Sequence, residues 1–244
     1  MIMRTLVIGD IHGGHRALLQ VLDRANVTSE DTLIFLGDYV DGWSESAAVI
    51  QELINLSRSN TCVFIRGNHD LWCGLWLEKG ATNPVWLEHG GKETINSYVQ
   101  SGLLTKKTHK AFFNTLQDYY LDEESRLFVH AGFTSMHGVG NEEYDSNYYW
   151  DRTLWESAML ADEVGEVTLR DDPPQRFSHY SEIYIGHTPT IVYGKDTPIK
   201  AYNLWNMDTG AGFKGKLTIL DIDTKEFWQS DSLPSLYPNE QGRN

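Results

Sequence analysis

Three short apolar runs in the first third of the chain each stop at a glycine followed at once by Asp or Asn: TLVIGD (5–10), TLIFLGD (32–38) and CVFIRGNHD (62–70). Runs this short, rich in Val, Ile, Thr and Phe, read as buried strands. Between them the apolar residues recur at helical spacing, first Leu18, Leu19, Val21, Leu22 and Ala25 before Asn26, then Val49, Ile50, Leu53, Ile54 and Leu56. Strands joined by helical crossovers predict a parallel α/β sheet. In such sheets the working residues collect just beyond the carboxyl ends of the strands, which is where these acids and amides fall.

Residues 71–120 are mostly helical in character and read as an insertion, with Trp72, Trp76, Leu77, Trp86, Phe112, Phe113 and Leu116 as its apolar positions. Beyond it RLFVHAG (126–132), EIYIGHTP (182–189), IKAYNLWNMDTG (199–210), KLTILDI (216–222) and EFWQS read as strands, and we assign them to a second, mixed sheet. The intervening stretch 140–175 is acidic and aromatic and ends in a DDPP loop. With no internal repeat or linker, residues 1–244 are expected to form one domain.

The chain carries 20 Lys plus Arg against 34 Asp plus Glu, a formal charge of −14, which argues against a nucleic-acid partner because tracking a phosphate backbone needs a basic surface. The opening MIMRTLVIGD is too short an apolar stretch for a signal core or a membrane span, so the protein is expected to be cytoplasmic, with no membrane partner. Cys62 and Cys73 are expected to be small packed residues rather than a disulfide or a metal cluster. An anionic substrate would meet a repulsive average field, which bound divalent cations would reverse locally.

Five segments place Asp, His or Asn at strand ends: GDIHGG (9–14), GDYVDG (37–42), RGNHD (66–70), VHAG (129–132) and GHTP (186–189). Singly, each reads equally well as a polar turn. Together, on loops set side by side by a parallel sheet, they converge on one place. Mixed carboxylate, amide and imidazole ligands suit manganese, iron or zinc, while a site for magnesium alone would be all oxygen.

The order GDIHG, GDYVDG, RGNHD, a lone strand-end histidine and GHTP resembles the calcineurin-like metallophosphoesterases, particularly the phosphoprotein phosphatase group and its bacterial relatives. The resemblance implies two mixed β-sheets packed face to face with helices outside (α/β/β/α). It also implies two divalent metal ions, manganese first, with iron, zinc or magnesium as alternatives. Asp10, His12 and Asp38 would hold one, and Asp38, Asn68, His130 and His187 the other, with Asp38 bridging and a metal-bound hydroxide as nucleophile. His69 would be the general acid, oriented by Asp41. Arg152 in YWDRTLWE and Arg66 in RGNHD would bind the phosphate.

One position departs from the pattern: Gly42 stands where the family carries an arginine. Loss of that charged contact would cost about 1.5–3 kcal/mol of binding unless another cation reaches the spot. Asp208 would support the loops rather than ligate metal. His15, His89, His109, His137 and His179 read as surface residues or supports of the ligands. The expected reaction is hydrolysis of a phosphomonoester, with phosphoserine or phosphothreonine in a protein favoured and another small phosphoester possible. Hydrolysis of dinucleoside polyphosphates is the alternative, and a catalytically silent binding module the minor one.

Overall fold

The computed structural model describes residues 3–164 and 175–243; the DDPP loop expected at 171–174 lies outside the described residues. The first apolar run forms β1 (Thr5–Ile8), followed by α1 (His15–Arg24), β2 (Thr32–Phe35), α2 (Ser46–Ser59) and β3 (Thr61–Phe64). β1, β2 and β3 pair in parallel, as the strand and helix alternation requires.

Helices then dominate: α3 (Asn68–Lys79), the single turn α4 (Pro84–Trp86), α5 (Lys92–Ser101) and α6 (Lys107–Asn114). The chain continues through β4 (Tyr119–Leu121), β5 (Arg126–Val129), α7 (Asn147–Trp150), α8 (Thr153–Val164), β6 (Glu182–Ile185), β7 (Ile199–Ala201) and β8 (Leu204–Asn206). It closes with β9 (Thr218–Asp221), β10 (Phe227–Gln229) and α9 (Leu233–Leu236).

The strands make two five-stranded mixed sheets, ordered β10-β9-β1-β2-β3 and β4-β5-β6-β8-β7. β9 and β10 therefore extend the first sheet, antiparallel to β1, and do not join the second as the sequence suggested. All four residues of β9 are buried, which fits a strand covered on both faces.

Alternation along β1 sets the layers. Val7 points between the sheets with Ile34, Val63, Phe128, Tyr184 and Leu220, whereas Leu6 and Ile8 face outward into the core under α1, α2, α3 and α6. On the far side Leu127, Val129, Ile183 and Ile185 pack with Leu154, Trp155 and Ala158 of α8. Each such fully buried side chain contributes about 1.5–3 kcal/mol, so three cores fix the register of every strand that delivers a site loop. A one-residue slip in β1 would turn Leu6 and Ile8 inward and carry Asp10 off the site.

His109, expected at the surface or beside the ligands, is instead fully buried in α6 and belongs to neither place. Its Nδ1 lies 3.1 Å from the Tyr98 hydroxyl and its Nε2 3.4 Å from Gln51 Oε1. Burial, then the nearby Lys106 ammonium, lowers its pKa from 6.5 to about 4. Folding thus holds it neutral. Its contribution to stability is complete above about 6.5 and drains away as the pH falls from there toward 4, because only the unfolded chain takes up the proton. Melting temperatures measured across that window should show wild type losing its advantage over His109→Asn as the pH falls; a gap that stays constant would contradict this.

Candidate metal centre at the strand ends

The five sequence segments meet at one place. Asp10 and His12 follow β1, Asp38 follows β2, Asn68 and His69 open α3 just beyond β3, His130 follows β5, and His187 follows β6. All seven are buried. The loops are stitched to each other by backbone bonds: Ile11 and His12 N–H both donate to Asp38 O, and Gly13 N–H to Tyr39 O. His187 N–H donates to Asp10 Oδ2 at 3.0 Å, and His69 N–H to Asp38 Oδ1 at 3.0 Å.

The backbone is strained where these residues sit. His12, Asp38, Asp41 and His187 all have positive φ, at 51°, 52°, 73° and 65°. Each such placement costs on the order of 1–3 kcal/mol and persists only where the surroundings over-determine it. Glycine is required at two contacts with the carboxylates: a Cβ on Gly67 would lie 2.1 Å from Asp38 Oδ1, and one on Gly186 would lie 2.0 Å from Asp10 Oδ1.

The imidazoles are oriented so that lone pairs converge. His130 Nδ1 donates to Leu36 O at 2.8 Å, which leaves Nε2 facing Asn68 Oδ1 at 3.3 Å and Asp38 Oδ2 at 3.4 Å. His12 Nδ1 donates to Val40 O at 3.1 Å, leaving its Nε2 3.6 Å from Asp38 Oδ2 and 3.9 Å from Asp10 Oδ2. Oxygen acceptors facing nitrogen lone pairs in a dry cluster need a proton or a cation between them. Asp10 Oδ1 is buried with no partner among the described residues. Atoms of Asp38, His130 and His187 lie within 4.8 Å of one another, and so do atoms of His12, Asp38 and His69. The donor set therefore fits divalent cations of the manganese, iron or zinc kind.

Electrostatics agree. Burial pushes the Asp10 carboxyl well above the ordinary range, with Asp208 adding to it. Asp38 goes the other way: despite burial, His130 and His69 hold it well below that range. Against burial, Asp38 raises His130 to about 10.

His69 Nδ1 lies 2.6 Å from Asp41 Oδ2. Asp41 also accepts from Trp86 Nε1 at 2.7 Å and Thr94 Oγ1 at 2.6 Å. Burial works against charge on either group, pushing Asp41 up to about 8 and His69 down to about 3. The two extra donors favour the proton on His69, which leaves its Nε2 side at the pocket. Asp70 ties the loops together by accepting from the N–H groups of Asp38, Tyr39 and Gly67 at 2.7, 2.9 and 2.9 Å. Asp208 accepts from Gly210 N–H at 3.0 Å. Nothing in the sequence marks Trp86 or Thr94; Asp70 was visible as the last letter of RGNHD.

The proposed arginines part company. Arg152 lies at the pocket, its Nη1 3.4 Å from Thr188 Oγ1. Arg66 is committed elsewhere, to Asp118 at 2.7 Å and Leu116 O at 2.9 Å, and does not line the pocket. Trp72 and Trp150, in edge-to-face contact at 5.2 Å, form part of the rim. Trp43 is wholly buried and takes no part in it. His89 also lines the pocket, whereas His179 sits at the surface with Nε2 on Met136 O. The pocket over the cluster, about 220 Å³, shares Arg152 and Arg243 with a larger adjoining cleft of about 830 Å³.

The family model described as calcineurin-like phosphoesterase matches residues 3–200. An asymmetrical bis(5'-nucleosyl)-tetraphosphatase of Anoxybacillus flavithermus is 28% identical over 251 residues, covering 95% of this chain and 94% of its own. A symmetrical bis(5'-nucleosyl)-tetraphosphatase of Nitrosomonas europaea is 29% identical over 190 residues, covering 77% of this chain and 59% of its own. A metallophosphoesterase from Sphaerobacter thermophilus superposes with a TM-score of 0.56 at 16% identity, over 94% of this chain and 89% of that one.

Binding of manganese should raise the melting temperature, since a ligand at 100 times its Kd adds about 2.7 kcal/mol to the folded state. Asp38→Asn should abolish most of that shift while Arg66→Ala leaves it intact, as read by calorimetry with and without chelator. A full manganese shift in Asp38→Asn would remove Asp38 from the ligand set.

Proposed function

The chain belongs to the calcineurin-like phosphoesterases, and from that premise we propose that it hydrolyses the phosphoanhydride chain of dinucleoside polyphosphates such as diadenosine tetraphosphate. The sequence favoured phosphoserine or phosphothreonine in proteins. Relatives that match along nearly the whole chain act, by their names, on bis(5'-nucleosyl) tetraphosphates, and this shifts the balance to the alternative.

The observation that carries the reading is the continuity of the small pocket over the cluster with the larger cleft. Arg152 and Arg243 stand where the two join, and the cleft continues over Ile191, Val192, Phe213 and Lys214. A polyphosphate is a long anion ending in a flat apolar base. Cations spaced along its path, followed by apolar and aromatic surface, match it better than they match one phosphoryl group on an extended peptide.

Asp10, His12, Asp38, Asn68, His130 and His187 would hold two divalent cations. When bound these supply Lewis acidity, activating water near neutral pH and neutralising phosphoryl charge. The chain's own groups do the rest. Arg152 orients the phosphate oxygens by its planar fork. His69, its Nδ1–H held by Asp41, would pass a second proton from Nε2 to the departing oxygen, and the Asp41 carboxylate would offset the cost that burial sets on that charged form. A nucleotide leaves as a weakly basic phosphate, so it draws less on that proton than a serine alkoxide would.

At fixed manganese, kcat/KM for diadenosine tetraphosphate should exceed that for a phosphothreonine peptide by at least tenfold, with ATP and AMP as products of an asymmetrical split and two ADP of a symmetrical one. Preference for the peptide would return the reading to a protein phosphatase. His69→Asn should lower kcat by no more than about 10²-fold on the nucleotide and by up to about 10⁴-fold on an alkyl phosphate; equal losses would remove His69 as proton donor to the leaving group.

A further inference from the structure

Gly42 lacks the arginine that the resemblance leads one to expect, yet the space over it is filled by the aliphatic stem of an arginine from the far end of the sequence. A Cβ built on Gly42 would lie 2.9 Å from Cγ of Arg243. We propose that Arg243 is a phosphate-binding arginine of this site, delivered by the strap 238–243 to the place that Gly42 leaves open.

The strap is anchored at successive points. The Glu240 carboxylate accepts from Ser44 N–H at 3.0 Å and from its hydroxyl at 2.8 Å. Gly242, at φ +68°, crosses the Trp43 indole so closely that a Cβ there would lie 2.7 Å from the ring. Trp43 is itself fixed by its Nε1 donating to Ala211 O at 2.7 Å and by stacking on Tyr237 at 5.1 Å. Arg243 N–H donates to Gly212 O at 2.8 Å. The residues Gly42, Trp43 and Ser44 are thus the seat of the strap.

The side chain points at the cluster. Its guanidinium lies 5.1 Å over the Phe213 ring, and Nη1 donates to His12 Nε2 at 3.0 Å. Its Nε is buried without a partner among the described residues. When the His12 lone pair serves a cation, that Nη1 N–H and the unpartnered Nε are available to an anion beside it. Arg243 and Arg152 then face the same phosphoryl oxygens from both pockets that they line. A bidentate fork from each is the arrangement that carboxylate and phosphate recognition favours. The inference rests on the site binding a phosphoryl group and is indifferent to whether an anhydride or an ester carries it.

The test is calorimetric binding of inorganic phosphate to the manganese-loaded full chain. Arg243→Ala should raise the Kd for phosphate about ten- to a hundredfold, as expected for loss of one charged hydrogen-bonding group, with manganese stoichiometry unchanged. Arg243→Lys should recover only part of this, and added guanidinium ion should tighten phosphate binding to Arg243→Ala but not to wild type. Removing the anchor in the Ser44→Ala/Glu240→Gln double variant should weaken binding with Arg243 present. An unchanged Kd in Arg243→Ala overturns the assignment alone. Tighter phosphate binding in that variant overturns it too, making the arginine a plug over His12. A wild-type protein that binds manganese but no phosphate overturns both this assignment and the reading of the site.

Discussion

Asp38 follows its strand at φ 52° with its carboxylate buried among three imidazoles, and the loops of the site are tied to it from every side. Its carbonyl accepts two N–H groups from the loop after β1, and its own N–H is held by Asp70. Its Oδ1 takes the N–H of His69, and Oδ2 faces His12 and His130. One residue therefore sets where three loops stand relative to one another. Gly67 is glycine because the Asp38 carboxylate occupies the space a side chain would need.

Such a cluster opposes folding in itself. A buried charge costs several kcal/mol even after relaxation, and Asp10, Asp38, Asp70 and Asp208 lie together, answered by imidazoles, backbone N–H groups and the Arg243 guanidinium beside His12. The four strained site residues add further cost. What holds the arrangement is the pair of sheets beneath it, with about 1.5–3 kcal/mol from each buried aliphatic side chain across three cores. The energy of the sandwich thus holds these side chains in a geometry that a proton or a cation between them would relieve. This is also why the cluster's residues sit on short turns just after strands, where the sheet's rigidity reaches them.

That coupling explains which parts were legible in the sequence. A strand that delivers a polar side chain to the site shows itself as an apolar run closed by a polar residue beside a glycine, so Asp10, Asp38, Asn68, His130 and His187 were legible as a set of five strand ends, though each alone reads equally well as a polar turn. Partners brought by tertiary packing leave no such trace. Trp86 and Thr94, which hold Asp41, lie 45 and 53 residues from it in the helical segment. The sheet to which β9 belongs is undecidable from a strand of four buried residues, since both sheets offer a buried neighbour. Arg66 matched a motif, but its partner Asp118 lies 52 residues away and took its charge. Arg243 is 231 residues from the His12 it touches, and no spacing could have paired them.

The overall charge of −14 would repel a polyphosphate, so attraction has to be local. At physiological ionic strength exposed charges more than about 8 Å away are largely screened. The field a substrate feels near the cluster is then set by the nearest groups: the cations the cluster would hold, Arg152 and Arg243 at the junction, and Lys214 farther along the cleft. Glu240, the acid that shares this cleft, is turned onto Ser44. A single phosphoryl group uses only the inner part of this row. A chain of four phosphates would reach the outer part, where Phe213 and Ile191 begin, so selectivity for a longer anion would arise from how far the positive row extends rather than from the metal ligands, which serve any phosphoryl group alike.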